Sequence, residues 1–446
     1  GIVDSGVDIN HEDLKAVIWT NPKEIAGNGI DDDKNGYIDD IHGWNFLGNA
    51  VHEQLEMTRI VKKGPGTPDY DKAKAKLEEE LKGIQGQKQQ LDFILNAEKT
   101  IKNHLKKDAF TLEDIKAIKS DDSGVKQAKA MFTQILSNTT KEKFDAEIEE
   151  FKDYVYGQIN YNLNVEYDGR SIVGDNPNDL KETKYGNNNV FGPDPKAAKH
   201  GTHVAGIVAQ VRGNNKGGDG VTNNAEILVV RAVPDGDEYD KDIALGIRYA
   251  VDNGAKVING SFGKYFSQNK EWVIDAIKYA ESKDVLVVIA AGNESYDLDI
   301  TNKYPNDTYD GSPEFANNVL IIGALSPSYG TKMVADFSNY GKNNVDIYAP
   351  GDEIYATTPL NTYEYLQGTS MASPNVAGVA TLIRSYYPSL TAIQVKQVIM
   401  ESGTPLKNTV ILGEDKHKAN FSEASKSGKI VNAYNALLLA KKMAKK

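Results

Sequence analysis

Three short strings of small residues each surround one side chain that could take part in acyl transfer. Asp4 lies in I-V-D-S-G-V-D, His200 opens H-G-T-H-V-A-G, and Ser370 lies in G-T-S-M-A-S-P. A hydroxyl becomes a strong nucleophile when an imidazole can accept its proton and a carboxylate holds that imidazole in place. We therefore interpret Ser370 as a nucleophile, His200 as its general base and Asp4 as the acid that orients the base.

The residues around Ser370 predict that it lies at the start of a helix. An apolar, alanine-rich pattern follows it, and Pro374 suits the first turn of such a helix. The N-terminus of a helix favours negative charge that develops on a nearby atom. The structural alternative is that Ser370 only caps this helix. His203 competes for the role of base and Asp8 for that of acid, although the D-S-G turn favours Asp4.

The elements that must position these side chains alternate between strand-like and helical patterns. Continuous β-branched runs predict buried parallel strands. Such runs occur at 225–233, 257–259, 285–290 and 319–324, with helical patterns between them at 242–253 and 271–283. This alternation predicts an α/β fold with a doubly wound, mostly parallel sheet flanked by helices.

Residues 51–160 differ in kind, because their apolar residues repeat at helical spacing. Two sets of apolar residues would each line one face of a helix: Leu77, Leu81 and Ile84, and Phe144, Ile148, Phe151 and Val155. We predict a catalytic domain of residues 1–50 and 161–446, interrupted by an all-helical insertion at 51–160. The insertion could be a gate, an exosite or a docking surface, or a solvated helical hairpin without a function of its own.

An acidic string after the first predicted strand has the pattern of a metal-binding loop. Acids or amides alternate through D-D-D-K-N-G-Y-I-D-D (31–40), as in the first half of an EF-hand, and the bidentate glutamate of that motif is missing. Oxygen ligands of this kind favour Ca²⁺. Asp39 could close the site in place of Asp40, and a solvated acidic turn is the alternative to any site. The predicted ligands are Asp31, Asp33, Asn35, Tyr37 and Asp40.

The three reactive strings, in the order acid, histidine, serine, resemble the catalytic blocks of subtilisin-like serine proteases, the subtilases of peptidase family S8. Strings at 337–341, 349–351 and 428–433 look like further blocks of that family. The resemblance covers the chain on both sides of the insertion but does not include the insertion itself. It implies that the acid, base and nucleophile named above form a catalytic triad. It also implies that Asn293, in A-A-G-N, donates its side-chain amide to the oxyanion.

The resemblance also implies where the substrate binds. The walls of the substrate cleft would be Ser261, Phe262 and Gly263 on one side and Ala290, Ala291 and Gly292 on the other. These walls are small and apolar and contain no acid, so we expect an apolar or broad preference for the P1 residue. The loop at 295–313 contains Asp297, Asp299 and Asp307, which could add charge.

We therefore expect a serine endopeptidase that hydrolyses peptide bonds through an acyl-enzyme intermediate. The alternative is a dedicated processing or assembly protease, or a transpeptidase, whose helical insertion docks one partner, because acyl transfer to an amine uses the same intermediate. The resemblance implies polypeptide substrates, inhibition by the protein's own pro-segment, structural calcium, and a secreted, periplasmic or cell-surface location. Since the sequence starts three residues before Asp4, we expect further sequence upstream.

The composition argues against several other classes of protein. The 446 residues include 63 acidic and 51 basic side chains, a net charge of −12 that disfavours nucleic acid as a partner. Cysteine is absent, which excludes a thiolate nucleophile, a zinc–thiolate site and a disulfide. No apolar run has the length of a membrane span, and no H-E-x-x-H string indicates a metalloprotease.

Overall fold

The computed structural model describes residues 1–445, which divide into two compact units. One unit contains Gly1–Glu56 and the chain from Asp168 onwards, and the other is Met57–Tyr167. In chain order the strands are β1 (Ile2–Asp4), β2 (Gly43–Asn45), β3 (Val229–Arg231), β4 (Val257–Gly260), β5 (Leu286–Ala290), β6 (Val319–Leu325), β7 (Ile347–Pro350), β8 (Ile354–Thr358), β9 (Thr362–Leu366), β10 (Thr404–Pro405), β11 (Thr409–Leu412), β12 (His417–Asn420) and β13 (Lys429–Ile430).

The helices occupy both units. Those of the second unit are α1 (Glu56–Lys63), which begins at its boundary, α2 (Tyr70–Leu105), α3 (Leu112–Ala117), α4 (Ser123–Asn138) and α5 (Lys141–Gly157). Those of the first unit are α6 (Arg170–Val173), α7 (Lys199–Ala209), α8 (Asp240–Asp252), α9 (Lys270–Ser282), α10 (Thr369–Tyr386), α11 (Ala392–Ser402) and α12 (Ala433–Met443).

The first unit is built on one sheet with the strand order β10-β13-β7-β6-β5-β4-β1-β3-β2. Only β10 and β13 pair antiparallel within it, and the other neighbours are parallel. The pairs β8–β9 and β11–β12 form two separate antiparallel hairpins. The predicted doubly wound, mostly parallel sheet is thus confirmed.

The core of this unit lies on both faces of the sheet, because successive residues of a strand point to opposite sides. In β5, Val287 and Ile289 pack in the layer that contains α8 and α9. Leu286 and Val288 pack in the opposite layer, with α7, α10 and α11. Every residue of β5 is buried. Burial on both faces explains why this strand reads as a continuous apolar run in the sequence.

The second unit is helical and has an apolar core of its own. Phe132 of α4 contacts Phe110 and Phe144 edge to face, with ring centroids 5.3 and 5.5 Å apart. Thr111 caps α3 by accepting from the Asp114 main-chain N–H, and the Asp114 carboxylate accepts from the Thr111 N–H in return. No helix within residues 1–445 combines the length and apolar composition that crossing a bilayer requires.

Candidate active site

The predicted reactive residues of the first unit gather at one edge of the sheet. Asp4 is the last residue of β1, Ser261 follows β4 directly, and Asn293 follows β5 by three residues. Parallel strands end at the same edge, and ligands of open α/β sheets bind beyond those carboxyl ends. Ser370, the second residue of α10, lies at this edge as well. Its hydroxyl donates to the Ser261 carbonyl oxygen at 3.1 Å.

The predicted acid and base are in direct contact. Nδ1 of His200 lies 2.6 Å from Oδ1 of Asp4, whose side chain is 1 % exposed. The third residue of α7, Gly201, must be small at this point. A Cβ atom on Gly201 would lie 2.2 Å from the carbonyl oxygen of Gly6 and 3.1 Å from Asp4 Oδ1. Glycine therefore allows the first turn of α7 to approach the end of β1 closely enough for the contact.

The contact with Asp4 changes the acid–base chemistry of the imidazole. Burial disfavours the charged form of His200, but the Asp4 carboxylate more than offsets this through its charge and its hydrogen bond. The pKa of His200 is therefore raised above its ordinary value. Nε2 of His200 makes no hydrogen bond among the described residues, so it is available to a nucleophile or a leaving group.

The rival residues have other partners. His203 is fully buried, and its Nε2 lies 3.0 and 3.1 Å from the carbonyl oxygens of Ile354 and Glu364. Burial lowers the pKa of His203 to about 4. The Asp8 carboxylate accepts from the main-chain N–H groups of Asn10 and Leu360. Both side chains therefore support the structure around the site, through bonds to the main chain.

The predicted oxyanion donor is fixed by its neighbour in the serine string. Oδ1 of Asn293 accepts from the main-chain N–H of Thr369 at 2.8 Å and from its hydroxyl at 2.9 Å. Both bonds engage the oxygen of the amide, so its NH₂ group is the end that remains to donate. A Cβ atom on Gly368 would lie 3.5 Å from Nδ2 of Asn293, which places that NH₂ group beside the turn that carries Ser370. Thr369 was absent from the predicted site, although it lies inside the G-T-S string.

The two predicted walls of the substrate cleft lie at the ends of β4 and β5. Ser261, Phe262, Ala290 and Ala291 are buried, and Gly263 and Gly292 are half-buried. Beyond these walls the Tyr265 hydroxyl donates to the Glu294 carboxylate and so bridges the two segments. The sequence prediction overlooked Glu294 because it considered only the acids of the following loop.

The acids of that loop are engaged elsewhere. Asp299 accepts from the main-chain N–H groups of Asn343 and Asn344. Asp307 is buried, 3.6 Å from Nζ of Lys396. Asp310 accepts from the Asn302 side chain at 2.6 Å. Asp297 is partly buried, and this raises its pKa above the ordinary value.

The acidic string between β1 and β2 forms a compact loop that contains a potential cation site. Asp31 accepts from the main-chain N–H groups of Asn35 and Gly36, at 3.0 and 2.9 Å. Carboxylate oxygens of Asp31, Asp33 and Glu24 lie within 4.8 Å of one another. Oε2 of Glu24 is buried and has no hydrogen-bond partner among residues 1–445. The sequence prediction did not include Glu24, since it lies seven residues before the EF-hand-like string.

Three of the predicted metal ligands have partners outside this carboxylate group. Asp40 is buried and accepts from the side chains of Asn35 and Tyr249, at 3.0 and 2.6 Å. The Tyr37 ring packs against Trp44 and Tyr249, with centroids 5.0 and 4.9 Å apart. The structure thus brings Asp31 and Asp33 together with Glu24, whereas the Asn35 side chain bonds to Asp40.

Comparison with known proteins agrees with the resemblance seen in the sequence. The sequence profile of the Subtilase family matches residues 1–421. A thermophilic serine proteinase of Bacillus sp. (strain AK1) is 39% identical over 211 residues, 47% of this chain and 48% of that protein. Thermitase of Thermoactinomyces vulgaris is 39% identical over 196 residues, which are 44% of this chain and 64% of thermitase. Subtilisin DY of Bacillus licheniformis is 36% identical over 216 residues, 48% of this chain and 74% of that protein.

Among solved structures, a protease of Pseudoalteromonas arctica PAMC 21717 matches with a TM-score of 0.43 and 31% identity, over 54% of this chain and 70% of that chain. The alignment with the thermophilic serine proteinase spans about half of that protein's length. The family profile, in contrast, extends from the Asp4 string through the Ser370 string. The chain therefore belongs to the Subtilase family.

Proposed function

We propose that this protein is a serine endopeptidase that hydrolyses peptide bonds of polypeptide substrates. The observation that carries the proposal is the contact between Asp4 and His200 at the sheet edge that also holds Ser370 and Asn293. An acid, a base, a nucleophile and an amide donor are the four groups that this reaction requires. Family membership supports the same activity.

In the proposed reaction, Ser370 attacks the scissile carbonyl carbon while Nε2 of His200 accepts its proton. Asp4 accepts a hydrogen bond from Nδ1–H of His200 and stabilises the imidazolium that forms. The NH₂ group of Asn293 donates to the oxyanion, and its orientation is set by the two bonds from Thr369. His200 then protonates the leaving amine, and water hydrolyses the acyl-enzyme by the reverse sequence of proton transfers.

Labelling with a fluorophosphonate tests this proposal most directly, because the reagent reacts with activated serine hydroxyls. Wild-type protein should be labelled at Ser370, and Ser370→Ala should remain unlabelled. The control is Ser385→Ala, at the other end of the same helix, which should be labelled like the wild type. A folded wild-type protein that resists labelling would contradict the proposal.

We also propose that the P1 pocket accepts apolar residues or a broad range of residues. Support comes from the small apolar walls and from the hydrogen bonds that the Glu294 carboxylate accepts. Its Oε2 accepts from the Tyr265 hydroxyl, the Asn293 N–H and the Asn339 amide. A carboxylate oxygen with three donors around it attracts a further cation weakly.

Peptide substrates that differ only at P1 provide the check. We expect kcat/KM for leucine or phenylalanine at P1 to exceed that for lysine by roughly 10-fold or more, because the walls are apolar and Oε2 of Glu294 already accepts from three donors. Glu294→Gln serves as a matched variant, since it removes the charge with little change in size. A clear preference for lysine that this substitution abolishes would contradict the proposed specificity.

We propose that the acidic loop binds a structural Ca²⁺ ion through Glu24, Asp31 and Asp33. Three converging carboxylates and a buried, unpartnered oxygen on Glu24 fit a hard cation that prefers oxygen ligands. The ion would neutralise the repulsion among these acids and hold the loop between β1 and β2. It would take no part in the hydrolytic steps.

Removal of the ion should lower stability. When free Ca²⁺ is 100-fold above Kd, binding adds about 2.7 kcal/mol to stability, so for a chain of this length a chelator should lower Tm by roughly 3 °C. Glu24→Gln should abolish most of this response, whereas Glu414→Gln, at an exposed acid outside the loop, should retain it. Equal chelator responses in both variants would contradict the assignment.

We further propose that residues 1–50 and 161–446 form the catalytic domain and residues 51–160 a helical insertion. The separate core of Met57–Tyr167 supports this division. Family membership supports action outside the cytoplasm, at a secreted, periplasmic or cell-surface location, and inhibition by a pro-segment before activation.

A further inference from the structure

Asn339 lies in the F-S-N-Y-G string between β6 and β7, and its side chain is completely buried. Its amide NH₂ donates to the carbonyl oxygen of Ala291 at 2.8 Å and to the Tyr265 hydroxyl at 2.9 Å. A longer contact of 3.3 Å reaches the Glu294 carboxylate. The donor end of this amide therefore contacts the segment that carries Asn293 and the hydroxyl that bridges both cleft walls.

The acceptor end of the same amide contacts that segment a second time. Oδ1 of Asn339 accepts from the main-chain N–H of Glu294 at 3.1 Å and from that of Tyr296 at 2.8 Å. One side chain thus bonds to the main chain at Ala291, before Asn293, and at Glu294, directly after it. A buried amide with both ends occupied resists rotation, because each alternative orientation leaves a polar group without a partner.

The fit between this amide and the loop is close. A Cβ atom on Gly292, whose φ is +104°, would lie 2.4 Å from Nδ2 of Asn339. Thr369 holds the Asn293 side chain from the opposite side through Oδ1. Asn339 therefore holds the main chain on either side of Asn293, and Thr369 fixes the orientation of the Asn293 side-chain amide.

We propose that Asn339 is a positioning residue for the oxyanion donor, and that it contributes to turnover only through Asn293. This inference rests on the proposed serine endopeptidase function. Misplacement of a donor by a fraction of an ångström weakens its bond to the transition state more than its bond to the substrate, so kcat should change more than KM.

The first measurement compares Asn339→Ala with the wild type, with rates expressed per active site titrated. We expect kcat to fall by roughly 10-fold to 100-fold with KM changed by less than about 3-fold. The variant should fold, since main-chain bonds from Asn339 to Gly292 and from Ser295 to Phe337 remain. Asn339→Leu is a second variant of similar size that loses both the donor and the acceptor bonds, and it should show the same pattern.

The decisive measurement is a double-mutant cycle with Asn293→Ala, which alone should lower kcat by roughly 10²–10³-fold. In that background Asn339→Ala should cost less than about 2-fold more, because the donor it positions is absent. The matched control is Asn318→Ala, which removes another buried amide, bonded to the Val285 carbonyl at the opposite end of the sheet. It should lower Tm and leave kcat per active site unchanged.

The outcomes separate two kinds of failure. An active wild-type protein in which Asn339→Ala has no effect on kcat, or has the same effect in both backgrounds, overturns the role of Asn339 alone. A wild-type protein without hydrolysis that depends on Ser370 overturns the proposed function and this role together.

Discussion

Replacing Ser370 with alanine is expected to lower kcat by about 10⁶-fold while KM changes little. The hydroxyl is the atom that forms the acyl bond, and the remaining groups can then only assist direct attack by water. Substrate binding should persist, because the cleft walls at the ends of β4 and β5 are unaltered. Steady-state hydrolysis of a chromogenic peptide, together with binding of the uncleaved peptide to the variant, measures both quantities.

The triad also predicts that the effects of single substitutions on kcat are strongly non-additive. His200→Ala alone should cost about as much as Ser370→Ala, and the double variant should be no slower than either, because the two residues act as a unit. Ser385→Ala, in the last turn of the same helix, is the control and should retain full activity. Losses that multiply in the double variant would show that the residues act independently, which the proposed mechanism does not allow.

Replacing Asp4 with asparagine is expected to lower kcat by about 10⁴-fold while the fold is preserved. An amide at this position can donate to Nδ1 of His200, which leaves the proton on Nε2. The base can then no longer accept the proton of Ser370. Stability should fall modestly, since the two side chains have the same shape but the NH₂ group that faces His200 replaces Oδ1, the oxygen that also accepts from the Ser5 N–H.

The same variant should change the pH profile. Only neutral His200 can act as a base, so kcat/KM rises as the pH increases through the pKa of His200. Asp4 raises that pKa, and Asp4→Asn should therefore move the acid limb to lower pH. Asp8→Asn is the control, because Asp8 bonds to main-chain N–H groups. An acid limb that stays in place in Asp4→Asn, or that moves equally in Asp8→Asn, would contradict the assignment.

The sequence predicted the parallel sheet and singled out residues that the structure brings to its carboxyl edge. It could do so because β-branched runs such as 285–290 must be buried on both faces, and because each reactive residue is embedded in its own short string. The Asp4–His200 contact joins two such strings.

The sequence could not indicate which side chains fix the others in place. Asn339 and Asn293 are separated by an entire strand, β6, and their relation depends on how two loops meet beyond that strand. Glu24 joins Asp31 through a turn whose shape no spacing rule predicts. Glu294 adjoins a predicted residue but was not selected, because the direction of its side chain depends on the loop conformation.

The position of β1 in the sheet has a consequence for biosynthesis. Asp4 ends a strand that lies between β4 and β3, two strands that emerge more than 200 residues later in the chain. His200 is 196 positions away from Asp4, and Ser370 follows still later. Pairings between such distant segments form late and slowly. A chain that is still folding therefore exposes unpaired strand edges for longer, and the edge of the sheet that holds Asp4 and Ser370 is completed only late in folding.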